Sequence, residues 1–304
     1  MDNNTNSFTT TSPSFDMRGF LESNSLIAKF VFLLLIIFMF VISLRIGIIL
    51  ITYLLQPKKS PKIINGMVDA SQQLTFSQDP TIPSSITIYR SDNAKSGVEF
   101  TWSVWIFINY KATASTYNTK YQHIFSKGNG NIADKVGGGV NSNNGIIFPN
   151  NAPGLYISPI TNRMCNLTVF MNTYDASSIQ DQIEVSDVPL NKWVNVILRC
   201  TGNVLDIYIN GVISRSITLS AVPKQNYGDV NVAMNGGFDG YISNLWYYNY
   251  ALGTREIQQI TQSGPNTTMV GNITGMSDPN YNYLSLKWFF NNNTNVKGGN
   301  TSGY

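Results

Sequence analysis

The stretch Lys192–Leu219, KWVNVILRCTGNVLDIYINGVISRSITL, leaves the chain little choice of fold. Val194, Val196, Leu198 and Cys200 recur at every second position, as do Leu205, Ile207 and Ile209. A period of two puts each set on one face of a strand, whereas a helix would spread them around its axis. Thr201-Gly202-Asn203 turns the chain between the two runs. Asn210-Gly211 is a pair suited to a two-residue type I′ turn, in which both residues need φ > 0. The pattern predicts a three-stranded antiparallel meander, and with it an all-β domain.

The same texture runs from Leu74 to about residue 262, as short alternating stretches separated by Gly, Asn and Pro. Expected strands are Ser85–Arg90, Val98–Tyr110 (Phe100, Trp102, Val104, Ile106 and Ile108 on one face), Tyr121–Lys127, Cys165–Met171 and Tyr241–Tyr250. Ala251–Thr261 carries the one helix-like pattern in this region. Residues 56–73 read as a linker opened by Pro57 and Pro61, and residues 1–25 as a polar, disordered tail. Residues 263–304 form a C-terminal extension in which Asp278–Phe290 could add one edge strand.

A second feature is independent of the first. Phe30–Leu55 is a 26-residue apolar run with Arg45 as its one charge. As a helix it is about 39 Å long, against a bilayer core of about 30 Å. A central Arg costs about 2.5–3.5 kcal/mol on insertion scales, and each Leu, Ile, Phe or Val returns about 0.3–0.6, so the segment inserts. It is too long for a signal h-region, and no small-residue cleavage site follows it. Residues 26–55 are therefore expected to be a single-pass helix whose partner is the lipid bilayer. Lys58, Lys59 and Lys62 lean weakly toward a cytoplasmic C-terminal side. In the C-terminal part, five N-x-[ST] sequons, at Asn166, Asn266, Asn272, Asn292 and Asn300, lean toward a lumenal, extracellular or virion-surface domain, which is the placement expected here.

Three ordered stretches carry a resemblance: Phe100–Ile108 with the following Ile124-Phe125-Ser126-Lys127-Gly128; Trp193–Val212; and Phe238–Ile260, which contains FDGYISNLWYYNYALGTREI. Together they resemble the laminin-G-like jelly rolls of the concanavalin-A-like lectin/glucanase superfamily, over about residues 74–262. The resemblance implies a two-sheet antiparallel jelly-roll sandwich, preceded here by one transmembrane helix. It extends to membrane-anchored copies in large DNA viruses of protists, and so to capsid or other virion proteins as partners. It also implies Ca²⁺ at the rim, held by an Asp and backbone carbonyls, with Asp134, Asp229 and Asp239 as candidates by loop position.

Catalytic chemistry is thinly supplied. Retaining glycosidases need two carboxylates about 5–5.5 Å apart. The four glutamates, Glu22, Glu99, Glu184 and Glu256, form no cluster, and Glu184 and Asp187 fall on opposite faces of a strand. His123 is the only histidine, which excludes a multi-histidine zinc site. Lys127–Gly139 is Gly-rich but lacks the phosphate-loop pattern, so it reads as a rim loop. No basic stripe is available for phosphates, so nucleic acid is set aside as a partner. Cys165 and Cys200 both fall on inward strand positions, and are either a disulfide or two buried thiols. The expectation is a non-enzymatic recognition module for a glycan or protein ligand, with Tyr247, Tyr248 and Tyr250 as the aromatic binding cluster. The alternative is a structural virion or membrane scaffold; a glycoside hydrolase stands third.

Overall fold

A computed structural model describes Gly19 and residues 26–55, 59–82, 85–95, 97–109, 120–128, 145–147, 150–159, 165–175 and 180–270. The chain divides into two compact units, one containing the N-terminal helix and the other spanning Pro57–Asn280.

In the first unit, α1 (Leu26–Leu55) is one continuous helix, long and apolar enough to cross a membrane. Its apolar side chains are spread evenly around the axis and are almost all exposed, so no single face is set aside for a protein core.

The second unit is a sandwich of two antiparallel sheets. The seven-stranded sheet runs β1 (Met67–Asp69), β13 (Gly240–Tyr248), β4 (Gly97–Ile108), β9 (Trp193–Thr201), β10 (Val204–Ile209) and β11 (Val212–Thr218), with β3 (Asp92–Ala94) also paired to β4. The six-stranded sheet runs β2 (Leu74–Phe76), β12 (Asp229–Val232), β5 (Gln122–Gly128), β6 (Asn151–Ile157), β7 (Leu167–Asn172) and β8 (Gln180–Val185). The predicted meander is β9–β10–β11. Asn210 and Gly211 have φ of 50° and 78°, the left-handed pair that a type I′ turn requires.

The inner faces meet in one core. Phe100, Trp102, Val104, Ile106 and Ile108 of β4 all enter it, with Val194, Val196, Leu198 and Cys200 of β9 beside them. Trp102 is 2% exposed and spans the layers, its ring 5.3 Å from Phe125 of the opposite sheet and 5.0 Å from Tyr247. At about 25 cal/mol per Å², burying such a ring is among the larger single contributions to the fold.

Two expectations need correction. Ser85–Arg90 is not a strand: Ile86 N–H donates to the Ser77 carbonyl and Ile88 N–H to Gln78 Oε1, so its backbone bonds to a neighbouring loop and joins no ladder. The sandwich also begins before Leu74, inside the expected linker, because Ile63 and Ile64 are core residues and β1 pairs with β13. The tail expected at 1–25 (Gly19 apart) and the edge strand expected at 278–290 lie outside the described residues.

A short helix, α2 (Thr254–Ser263), packs on the outer face of the seven-stranded sheet. Glu256 in its first turn accepts the Gly253 N–H at 2.8 Å, which satisfies one orphan donor at the helix start. Ile257 and Ile260 press onto a second apolar cluster formed by Ile197, Tyr208, Tyr248 and Leu252.

Candidate functional site

β13 carries a bulge that decides where its aromatics point. Ser243 pairs with Trp105, yet Trp246 pairs with Ser103, so three steps on β13 match two on β4. The extra residue falls at Asn244, which sits at φ 49°. A bulge of this kind reverses the alternation along a strand. Ile242 faces the core before it; Leu245 and Tyr247 face the core after it. Trp246 and Tyr248 are thereby turned outward, toward α2.

Between that face and α2 lies a groove of about 290 Å³. Trp105, Trp246 and Tyr248 wall it, and Ser103, Asn244, Glu256 and Gln259 supply polar atoms at its border. The Trp246 indole Nε1 is buried and has no hydrogen-bond partner. A buried donor left unpaired costs about 1–3 kcal/mol, so this N–H favours any group that brings an acceptor. Above the ring, the Lys62 amine lies 4.2 Å from the Trp246 centroid, a cation–π contact that fixes the indole plane. Tyr250 donates its hydroxyl to Glu256 Oε1 at 2.9 Å, and its ring stands edge-on to Tyr248 at 6.0 Å. Burial raises the Tyr248 phenol above its ordinary range, with Tyr250 and Glu256 adding to the effect, so it remains a neutral donor.

The three tyrosines expected to act together therefore divide. Tyr248 lines the groove and Tyr250 braces it through Glu256. Tyr247 points the other way, into the core, where its hydroxyl donates to the Tyr89 carbonyl at 3.0 Å and its ring borders a smaller rim cavity. Sequence reasoning did not single out Trp105 or Trp246. The signal was present in the two-tryptophan run of β4 and in Trp246 beside the tyrosines, but without the bulge the outward set could not be identified.

Two of the Ca²⁺ candidates, Asp229 and Asp239, lie at the starts of strands in different sheets. Asp229 opens β12 in one sheet and accepts the Gln78 N–H at 2.9 Å. Asp239 precedes β13 in the other sheet and accepts the Asn109 amide at 2.8 Å. Asp134 lies outside the described residues, and among those described no three His, Cys, Asp or Glu cluster as metal ligands would.

Cys165 and Cys200 are free thiols, both buried. The pairing that could have joined them does not form: β7, which follows Cys165, pairs with β6 and β8, whereas Cys200 in β9 pairs within the opposite sheet. Burial pushes each thiol up to about 12. Of the sequon residues, Asn166 donates to Glu184 Oε1 at 2.7 Å, and Asn266 accepts the Thr268 N–H at 3.1 Å. Asn272, Asn292 and Asn300 lie outside the described residues.

One pair resembles a hydrolytic dyad. His123 Nε2 is 3.0 Å from Ser126 Oγ. However, Nδ1 accepts the Met234 N–H at 3.1 Å, so the proton of the neutral ring sits on Nε2 and is directed at the serine. A base in that tautomer cannot take the serine proton. Burial holds the imidazole down to about 3, and it packs edge-on against Tyr156. The dyad is a buried structural contact.

The family profile described as the concanavalin A-like lectin/glucanases superfamily, of laminin G type, matches residues 83–258, more than half the chain. The chain belongs to this superfamily. No curated protein matches it. Among solved structures, it is similar to the botulinum neurotoxin serotype G binding domain at 14% identity and a TM-score of 0.40, over 65% of this chain and 46% of that one. It is also similar to the receptor binding domain of the botulinum neurotoxin C/D mosaic serotype, at 16% identity and a TM-score of 0.38, over 55% and 36%. The chain thus spans less than half the length of either.

Proposed function

We propose that this chain is a membrane-anchored, non-enzymatic recognition module that binds glycans in the groove between β4, β13 and α2. The observation that carries the reading is the buried, unpaired Trp246 indole N–H in a wall of aromatic rings. Sugars present both of the features such a wall favours: apolar C–H faces that stack on rings, and hydroxyl oxygens that accept from the indole. The polar border of Asn244, Ser103 and Gln259 adds donors and acceptors for the remaining hydroxyls.

In this reading α1 spans the bilayer once and the sandwich lies outside the cytosol, where the five sequons are open to modification. A domain of this length translocates largely regardless of the small charge difference across α1. Expression in a secretory system followed by glycosidase treatment gives a downward gel shift; an unchanged band places the domain in the cytosol.

The binding test uses the full chain in lipid nanodiscs on a glycan array, beside Gln259→Ala and Trp246→Phe. Selective binding that both variants weaken supports the groove. Silence across the array favours a second reading, a scaffold that docks on neighbouring protein subunits of a membrane or virion. One observation favours that reading: β11 is an edge strand exposed along most of its length, and Val212 and Ile213 on it are apolar.

A further inference from the structure

A second cavity lies at one end of the sandwich, apart from the groove. It has a volume of about 60 Å³ and is walled by Ile88, Phe100, Trp102, Ala152 and Tyr247. The loop Gln225-Asn226-Tyr227 borders it. Three facts about its polar atoms bear on what it can hold.

First, the Gln225 side-chain oxygen is buried with no hydrogen-bond partner, while its amide nitrogen is engaged by Ser91. Gln225 borders the cavity, and its side-chain oxygen is an acceptor in want of a donor. Second, the Lys127 amine is already committed. It donates to the Asn226 carbonyl at 3.1 Å, to Asn226 Oδ1 at 3.4 Å and to the Gly228 carbonyl, so its three protons all have acceptors. Lys127 therefore offers an anion no free proton; the other cation at the border is Arg90, which is exposed to solvent. Third, Tyr227 is 89% exposed and borders the same cavity, so its ring is a bare platform beside the opening.

We infer that this rim cavity is a second ligand site, which takes the acetamido group of an N-acetylated sugar. The volume admits a group of a few heavy atoms and excludes a whole pyranose ring. The apolar wall suits the acetyl methyl, and the acetamido N–H supplies the donor that Gln225 Oε1 lacks. The ring of the sugar remains outside, where Tyr227 stacks against it. A carboxylate of similar size could pair only with the solvent-exposed Arg90 and would leave the Gln225 oxygen without a donor. A free hydroxymethyl group fails to fill the apolar part. The inference stands on different residues from the groove and does not need the groove to bind anything.

The test compares methyl N-acetylglucosaminide with methyl glucoside on the full chain in lipid nanodiscs, by saturation-transfer NMR and by titration. The N-acetylated sugar is expected to bind about tenfold more tightly, a difference of about 1.4 kcal/mol. Saturation is expected to be strongest at the acetyl methyl. Tyr227→Ala, at an exposed position the fold does not need, reduces that affinity severalfold. Equal affinity for the two sugars, or no binding of either, overturns the inference and leaves water as the occupant. Loss of binding in Trp246→Phe with none in Tyr227→Ala also overturns it, and moves the sugar to the groove.

Discussion

Arg199 and Asp206 face each other across the β9–β10 hairpin, with the guanidinium Nη2 donating to Asp206 Oδ2 at 2.7 Å. The same guanidinium donates to the Leu252 carbonyl at 3.2 Å and lies over the Tyr208 ring. Asp206 in turn accepts the Ser216 hydroxyl at 2.6 Å from β11. The pair thus ties the hairpin, the edge strand and the approach to α2 into one network on the outer face. With side-chain exposures of 23% and 8%, it is only partly open to solvent screening.

Asp206→Ala therefore leaves a half-buried guanidinium without its counter-charge. The expected loss is about 2–4 kcal/mol, near the range for breaking a buried pair and discounted for the exposed arginine. Urea unfolding followed by tryptophan fluorescence measures it. A loss below about 1 kcal/mol would mean that the pair behaves as a surface bridge.

His123 makes the stability of the sandwich depend on pH. Its folded pKa of about 3 lies below the ordinary 6.5, because burial disfavours the imidazolium. The unfolded chain therefore binds the proton first. Stability is full above pH 6.5 and falls as the pH drops toward 3, with a slope approaching 1.4 kcal/mol per pH unit. Between pH 6 and pH 5, above most carboxylate titration, the expected loss is about 1 kcal/mol. His123→Asn removes that slope, whatever its own stability. A flat wild-type profile in this window would mean that the imidazole is not held neutral in the fold.

The two cysteines give a chemical readout of the same core. With thiols pushed up to about 12 and buried, almost no thiolate exists at pH 8. An alkylating reagent is expected to leave the folded protein unmodified and to label both Cys165 and Cys200 after unfolding without reductant. Unfolded protein that resists labelling until reduced would reveal a disulfide and contradict the two free thiols of the structure.

Much of this architecture was legible in the sequence because period-two alternation in β4, β7, β9 and β10 follows directly from burial on one face. The Asn210-Gly211 pair fixed the hairpin register in the same way. What escaped had a physical reason in each case. β6, NAPGLYI, contains Pro and Gly and is buried on both faces, so neither composition nor alternation marks it as a strand. Pro153 sits where the ladder register shifts and has no partner residue on either neighbouring strand, which is how the sheet tolerates it. β1 is three residues long and gains its order from β13, a contact far away in sequence. The groove depends on one bulge, at Asn244, and a bulge inserts a residue without changing the hydrophobic character of the strand around it.

The central claim is that the Trp246 indole N–H meets a sugar oxygen. The chain has five tryptophans, so ¹⁵N-labelling of the indoles gives a small set of signals, and Trp246→Phe assigns the one that matters. On titration with a glycan selected on the array, the Trp246 indole proton is predicted to move downfield and saturate with the binding isotherm, as a free donor acquires an acceptor. A glycan that binds while this signal stays in place would contradict the account.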